Sequence, residues 1–437
     1  PQSRIYRTWN VPGAHTPEEA QLDLAALVLG GGKTSRLYKR LVYKDQIATS
    51  ASASDDASEI GGQFDITLTA RPGADVARME RIADEELQAL MKNGPTEDEL
   101  RLAKTTILAQ YTRMIERVGG FGGKSDLLAS CQTYTGNPDC YKVYLQRIKE
   151  ATPASVKKAM NDWLSTGDFI LQVDPYPTGL AAGKPGVDRS KEPALGKPMA
   201  LKLPEMQKAT LSNGLKIVLA ERHDAPVVNF QLLVDSGYAS DAADKPGVAS
   251  LAMRMLEEGT RTRKSLEIGE AFTSLGAQFG AGANLDSGIV YMNTLKATMP
   301  QALNLYSDLI LNPSFPQNEF ARLQKDRLAA IAREKTIPQA MALRVLPSIL
   351  YGKEHPYAKP FTGTGTEEAV QRMTREDLAS YHATWFKPNN ATLLVVGDTT
   401  LAEVKPMLEK AFAGWKAGEV PKKVLADVAA PAKSCLL

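Results

Sequence analysis

The chain has 437 residues, 43% of them hydrophobic and 23% charged, with a formal net charge of +2. That length exceeds one ordinary core and suits two domains of about 200 residues. Charges of both signs are interspersed, which gives no nucleic-acid footprint, and no apolar run approaches the roughly 20 residues of a membrane span.

In chain order, Thr16-Pro17-Glu18-Glu19 opens the first helix with an N-cap, a proline at the first helical position and an acid at the third. Gly30-Gly31-Gly32 ends that helix and turns the chain. Gly32-Lys33-Thr34 is no phosphate loop: the motif needs a glycine where Leu27 stands, and a strand rather than a helix ahead of it. Two alternating strands follow, the second ending at Thr67-Leu68-Thr69-Ala70. Then come a helix, the turn Gly94-Pro95-Thr96 and a second long helix opened by Thr96-Glu97-Asp98-Glu99.

Cys131 and Cys140 bracket a turn-rich loop. The pair either closes as a disulfide, adding about 2–3 kcal/mol on the chain-entropy model, or stays as two thiols. A closed disulfide favours an extracytoplasmic compartment such as a bacterial periplasm; the compartment is otherwise open. Cys435 completes no C-x-x-C spacing.

Residues 177–207 are rich in Gly and Pro without apolar periodicity and read as a linker. The flanking segments repeat each other. Thr152 is followed by Val156, Trp163 and Leu164, and Thr374 by Leu378, Trp385 and Phe386, at equal offsets. Helical spacing places each set on one buried face. Each set runs into a short apolar strand, Phe169–Val173 or Thr392–Val396. Upstream, Thr294-Leu295-Lys296-Ala297 and Asn312-Pro313-Ser314 echo the strand end and turn of the first copy. Ser212-Asn213-Gly214 is a tight turn before the alternating strand Leu215–Leu219. The fold class is therefore α+β: two homologous sandwich domains, each a mostly antiparallel sheet with helices packed on one face. Residues 1–176 form the first domain, 208–425 the second, and 426–437 the start of a following segment. Both ends read as cuts through a longer polypeptide.

Residues 246–260 carry the frame of an H-x-x-E-H helix, in which two imidazoles four residues apart hold zinc and the glutamate polarises the metal-bound water. Here the histidine slots hold Ser250 and Arg254, and the glutamate slot holds Met253. A thioether is no general base and a guanidinium binds no cation.

With Leu211–Val218, Pro246-Gly247-Val248-Ala249, Glu258-Gly259-Thr260, His355-Pro356-Tyr357, Trp385–Asn390 and Val395-Val396-Gly397-Asp398, the chain resembles the pitrilysin/insulinase family of inverted-zincin peptidases over nearly its whole length except the linker. The resemblance implies a third zinc ligand on the helix Phe320–Glu334, where the slot falls on Ala330. It also implies that Gly30-Gly31-Gly32-Lys33-Thr34-Ser35-Arg36-Leu37 marks the partner-type domain, whose oxyanion-stabilising Arg and Tyr slots fall on Val42 and Thr49. All six slots are substituted, so the expectation is no catalytic residue, no metal ligand and no cofactor in this chain. Glu257, Glu258 and Glu334 are expected to be solvated.

Single-chain members of that family carry four homologous domains, the first with zinc and the fourth with the Arg/Tyr pair. By that resemblance the chain corresponds to the second, partner-type domain and the third, degenerate zinc-type domain. Zinc belongs to an absent first domain. The expected role is a chamber wall and hinge for peptide or unfolded-protein substrates, with flanking catalytic domains as partners. One alternative is a wholly non-catalytic structural or partner subunit of the same family. The other is an unrelated enzyme on the same fold, but His15, His223, His355 and His382 are nowhere at zinc spacing or paired with a nucleophile.

Overall fold

The computed structural model describes residues 2–118, 122–165, 167–174 and 205–423. Most of the expected linker and the expected following segment lie outside these residues. The fold is α+β, with two sheets.

The first lobe contains β1 (Arg4–Val11), α1 (Pro17–Gly30), β2 (Ala48–Ala57), β3 (Gly62–Ala70), α2 (Val76–Asn93), α3 (Glu97–Met114), α4 (Lys124–Thr135), α5 (Cys140–Glu150), α6 (Pro153–Leu164) and β4 (Phe169–Val173). Its sheet runs β2-β3-β1-β4 and is antiparallel throughout. The second lobe contains β5 (Met206–Thr210), β6 (Lys216–Glu221), β7 (Val227–Val234), α7 (Val248–Met255), α8 (Ser265–Ser274), β8 (Gln278–Ala283), β9 (Gly288–Leu295), α9 (Met299–Leu311), α10 (Gln317–Glu334), α11 (Pro338–Tyr351), α12 (Glu367–Arg372), α13 (Arg375–Trp385), β10 (Ala391–Gly397) and α14 (Leu401–Ala411). Its sheet runs β5-β6-β10-β7-β9-β8, and only the β10–β6 pair is parallel.

Local chemistry sets several boundaries. Thr96 with Glu99, Thr152 with Ser155, and Thr374 with Asp377 form reciprocal capping boxes that satisfy the first amides of α3, α6 and α13. Thr16 departs from expectation, because its hydroxyl donates back to Gly13 O at 2.9 Å. The acid of that turn, Glu19, accepts from the His15 amide at 2.7 Å instead. Cys131 and Cys140 are disulfide-bonded, with Cα atoms 5.4 Å apart, which ties α4 to α5.

Each lobe has its own apolar core between sheet and helices. In the first, Trp9 meets Phe64 edge to face at 6.1 Å. In the second, fully buried Tyr306 donates its hydroxyl to Val290 O at 2.7 Å and accepts from Leu232 N at 3.2 Å, so its polar end is satisfied inside the core.

In chain order β1, β2, β3 and β4 correspond to β7, β8, β9 and β10. The hairpin β5–β6 has no counterpart among the described residues of the first lobe. The duplicates differ where that matters. β10 alternates buried and half-buried positions, whereas every residue of β4 is exposed. Trp385 is buried, but Trp163, expected on the buried face of α6, is 39% exposed. In the second lobe, chain beyond α14 returns over the end of α13, where Trp415 Nε1 donates to Phe386 O at 2.9 Å. No described residue of the first lobe plays that part.

The lobes meet along α3 and α8. Arg113 Nη1 donates to Gly276 O at 2.7 Å, and Lys39 pairs with Glu270 at 2.9 Å.

Candidate functional site

α7 begins where the buried carboxylate of Asp241 accepts from the Gly247 amide at 2.7 Å and the Ala249 amide at 2.8 Å. Burial pushes this carboxyl up to about 7 against the pull of those amides. Lys359 Nζ anchors the same loop by donating to Ala239 O and Asp241 O, at 2.7 and 2.6 Å. α7 therefore starts at a fixed point and packs on β8, β9, α10 and α13.

The side chains of α7 then diverge. Ser250 is buried under the loop at Gly363, where an added Cβ would lie 3.2 Å from its Oγ and 3.1 Å from the Tyr238 ring. Met253 is wholly buried in the second core, its sulfur against Gly288. Arg254 is exposed. Ala330 is half-buried on α10, which packs against α7. A hydroxyl, a thioether, a guanidinium and a methyl do not suit zinc, which takes thiolate, imidazole or carboxylate donors. Among the described residues no group of three or more His, Cys, Asp or Glu is placed to hold a metal ion.

The two positions of the first lobe do not join them. Val42 sits in the wide helical turn Tyr38–Lys44 and is buried in the first core. Thr49 lies on β2, where its hydroxyl donates to Thr69 O and accepts from Gln2 Nε2, both at 3.3 Å. Both serve local packing.

A cleft of 620 Å³ is lined by Asp241, Tyr351, His355, Tyr357, Lys359 and Trp385 among others, but none of the four zinc-frame positions lines it. The four histidines stay apart. His382 Nε2 donates to Ile310 O at 2.8 Å and stacks on Phe386; burial pushes it down to about 4. His355 Nδ1 accepts from the Tyr357 amide at 3.0 Å, which orders its loop. His223 pairs with Asp398 at 2.7 Å, which raises it, and His15 lies 3.8 Å from the Cys140 sulfur.

The most heavily buried charges form a cluster that sequence reading missed. Glu258, expected to be solvated, is 2% exposed. It accepts from Arg322 Nη2 at 2.7 Å, from the Ser265 hydroxyl at 2.6 Å and from Lys33 Nζ at 3.1 Å. Arg322 Nε donates to Glu319 at 2.9 Å, and Glu319 accepts from the Tyr43 hydroxyl at 3.0 Å. Glu257 stands 3.7 Å from Lys33 and is likewise paired. Burial alone would raise the Glu258 carboxyl, but Lys33 and Arg322 outweigh it and hold it below the usual range. Lys33 and Tyr43 come from the first lobe, so the glycine-rich loop and the chain after it fasten the two lobes. Glu334, also expected to be solvated, pairs with Arg344 at 2.6 Å and accepts from the Thr364 hydroxyl at 2.8 Å. No sequence signal reveals these partners, because each is fixed by contacts between distant elements. This cluster holds the lobes together.

Two family models match the chain. The family model described as the peptidase M16 inactive domain matches residues 1–107 and 372–435, and the model described as insulinase (peptidase family M16) matches residues 216–365. An uncharacterized zinc protease of Rickettsia felis is 26% identical over 209 residues, 48% of this chain and 50% of that protein. The zinc protease PqqE of Helicobacter pylori is 23% identical over 219 residues, 49% of this chain and 48% of that protein. The rat (Rattus norvegicus) mitochondrial-processing peptidase subunit beta is 24% identical over 224 residues, covering 51% and 45%. The chain spans about half the length of the curated relatives it matches. Among solved structures, the peptidase M16 inactive domain from Pseudomonas fluorescens aligns with a TM-score of 0.48 at 28% identity, over 52% of this chain and 54% of that one. The first half of the periplasmic protease PqqL from Escherichia coli aligns with a TM-score of 0.47 at 20% identity, over 52% and 51%.

Proposed function

Because this chain belongs to the M16 peptidase family, we propose that it is the non-catalytic middle of a zinc-dependent endopeptidase and shapes the chamber that encloses a peptide substrate. One observation carries this reading: the zinc-frame positions hold Ser250, Met253, Arg254 and Ala330, and two of them, Ser250 and Met253, are packed into the protein interior. Such positions have been turned over to packing. The chemistry would then reside in flanking domains, with zinc in a first domain ahead of this one.

The walls suit an extended peptide. β8 is the last strand of the second sheet, and α7 packs beside it. An edge strand offers a row of backbone donors and acceptors that a peptide can pair with. The Cys131–Cys140 disulfide supports an oxidising compartment for the parent protein, such as a periplasm.

The test is metal analysis of the purified chain after equilibration with zinc, beside a cleavage assay on quenched fluorescent peptides. The expected result is no stoichiometric zinc and no chelator-sensitive cleavage. One bound zinc per chain that survives dialysis would overturn the reading. The sequence of the parent gene separates this reading from a wholly non-catalytic subunit, since only the former requires an intact H-x-x-E-H upstream.

A further inference from the structure

α7 and α10 carry two guanidinium groups side by side at the position where the family frame would seat a cation. Arg254 lies in the last turn of α7. α10 packs against α7, and on α10 Arg327 stands three residues before Ala330, one turn away on the same face. Neither Arg254 nor Arg327 makes a hydrogen bond or an ion pair among the described residues. The neighbouring arginines Arg322 and Arg344, by contrast, are both matched by carboxylates.

Arg327 is the more enclosed of the two. Burial holds its guanidinium below the usual arginine range, the charge of Arg254 lowers it further, and Glu334 alone opposes them. Glu334 is already committed, since its Oε2 takes Arg344 Nη1 at 2.6 Å and the Thr364 hydroxyl at 2.8 Å. Glu334 thus serves Arg344 first, and the charge of Arg327 beside Arg254 is left without a carboxylate bonded to it. A desolvated cation without a partner is costly. The planar fork of a guanidinium matches a carboxylate through two parallel N–H···O bonds.

We propose that Arg254 and Arg327 form a binding site for a carboxylate carried by a peptide lying along β8 and α7. The carboxylate is either an Asp or Glu side chain or the peptide's own C-terminus. This deepens the proposed function and rests on its reading of the chain as a peptide-lined wall. It assigns a preference for acidic peptides to Arg254, which stands in a metal-ligand slot, and to Arg327, one turn from another such slot.

The experiment uses the 437-residue chain and three short labelled peptides of one apolar sequence, read by fluorescence polarisation at low salt. The first carries a central Glu and has both ends blocked. The second replaces Glu with Gln and keeps both blocks. The third carries Gln and a free C-terminal carboxylate. The Glu peptide, the free-carboxylate peptide or both should bind about ten-fold more tightly than the blocked Gln peptide, and which of them gains identifies the source. The gain should vanish in Arg254→Gln/Arg327→Gln and persist in part in Arg254→Lys/Arg327→Lys, with circular dichroism confirming that both variants fold. Equal binding of all three peptides overturns the site and leaves the peptide-wall reading standing, as does a gain that survives the Gln double variant. If no peptide binds, the peptide-wall reading falls. The arginine pair is then read by the shift in melting temperature with acetate over chloride at matched ionic strength. A shift lost in the Gln double variant keeps the carboxylate site, and its absence overturns it.

Discussion

Lys33 and Glu258 meet across the two lobes, Nζ to Oε1 at 3.1 Å, although 225 residues of sequence separate them. The lysine comes from the glycine-rich loop after α1, and the carboxylate from the turn after α7, which occupies the same place in the other copy of the fold. The corresponding loops of the two copies thereby fasten one lobe to the other. Glu258 also carries Arg322, so removal of this carboxylate takes a buried partner from two cations at once, leaving Lys33 to Glu257 and Arg322 to Glu319.

Glu258→Gln should therefore destabilise the chain by about 3 kcal/mol, and Lys33→Met by only about 1 kcal/mol, because removing the lysine leaves Arg322 to hold the buried acid. Urea melts followed by tryptophan fluorescence check this. Since the folded carboxyl lies below its unfolded value, its contribution is complete above about pH 4.5 and fades as pH falls further. Indistinguishable midpoints for wild type and Glu258→Gln at neutral pH would show that the cluster contributes no stability.

His382 should make stability fall on acidification at a higher pH. Its folded value is about 4 against about 6.5 unfolded, so the unfolded chain binds the proton first. The full stability is present above about pH 6.5, and about 3 kcal/mol is lost as pH falls through 4. His382→Gln keeps a donor for Ile310 O and removes the titration. The difference in unfolding free energy between wild type and variant should change with pH across this window. A constant difference would refute the buried neutral imidazole.

The disulfide closes a short loop and should contribute about 2–3 kcal/mol on the chain-entropy model. Cys131→Ser/Cys140→Ser, or reductant on the wild type, should lower the melting temperature by several degrees. Limited proteolysis should then nick the α4–α5 segment first. Equal melting temperatures with and without reductant would contradict this.

Arg327→Met should raise stability by about 1 kcal/mol, because an apolar chain of similar length replaces a desolvated charge that repels Arg254. Arg254→Met, at an exposed position, should leave stability within about 0.5 kcal/mol of wild type. Thermal melts of both variants distinguish the residues. A destabilised Arg327→Met would mean that Arg327 has a stabilising partner after all.

Much of this architecture was legible in the sequence because its signals are local. Thr96 and Thr374 mark helix starts through bonds that span three residues, and both capping boxes formed, while Thr16 marks its helix start without capping it. The duplication showed in equal offsets along α6 and α13, alternation marked β6, and a short apolar run marked β10. What escaped depends on distant partners. Glu258 and Glu334 look like ordinary surface acids until Lys33, Arg322 and Arg344 are brought to them by tertiary packing. Trp163 has the same spacing as Trp385, but spacing specifies only a face of a helix. Whether that face is covered depends on chain elsewhere. Cys131 and Cys140 allowed two outcomes, which only the positions of α4 and α5 could decide.

β4 sets how the molecule behaves in a test tube. Among the described residues it ends the first sheet, with Phe169, Ile170, Leu171 and Val173 exposed, while its twin β10 is zipped against β6. A rim of unmet amides and carbonyls edged with oily side chains is sticky toward any similar rim. Concentrated stocks of this chain will tend to clump, and a lysine placed mid-strand is the first remedy to try at the bench.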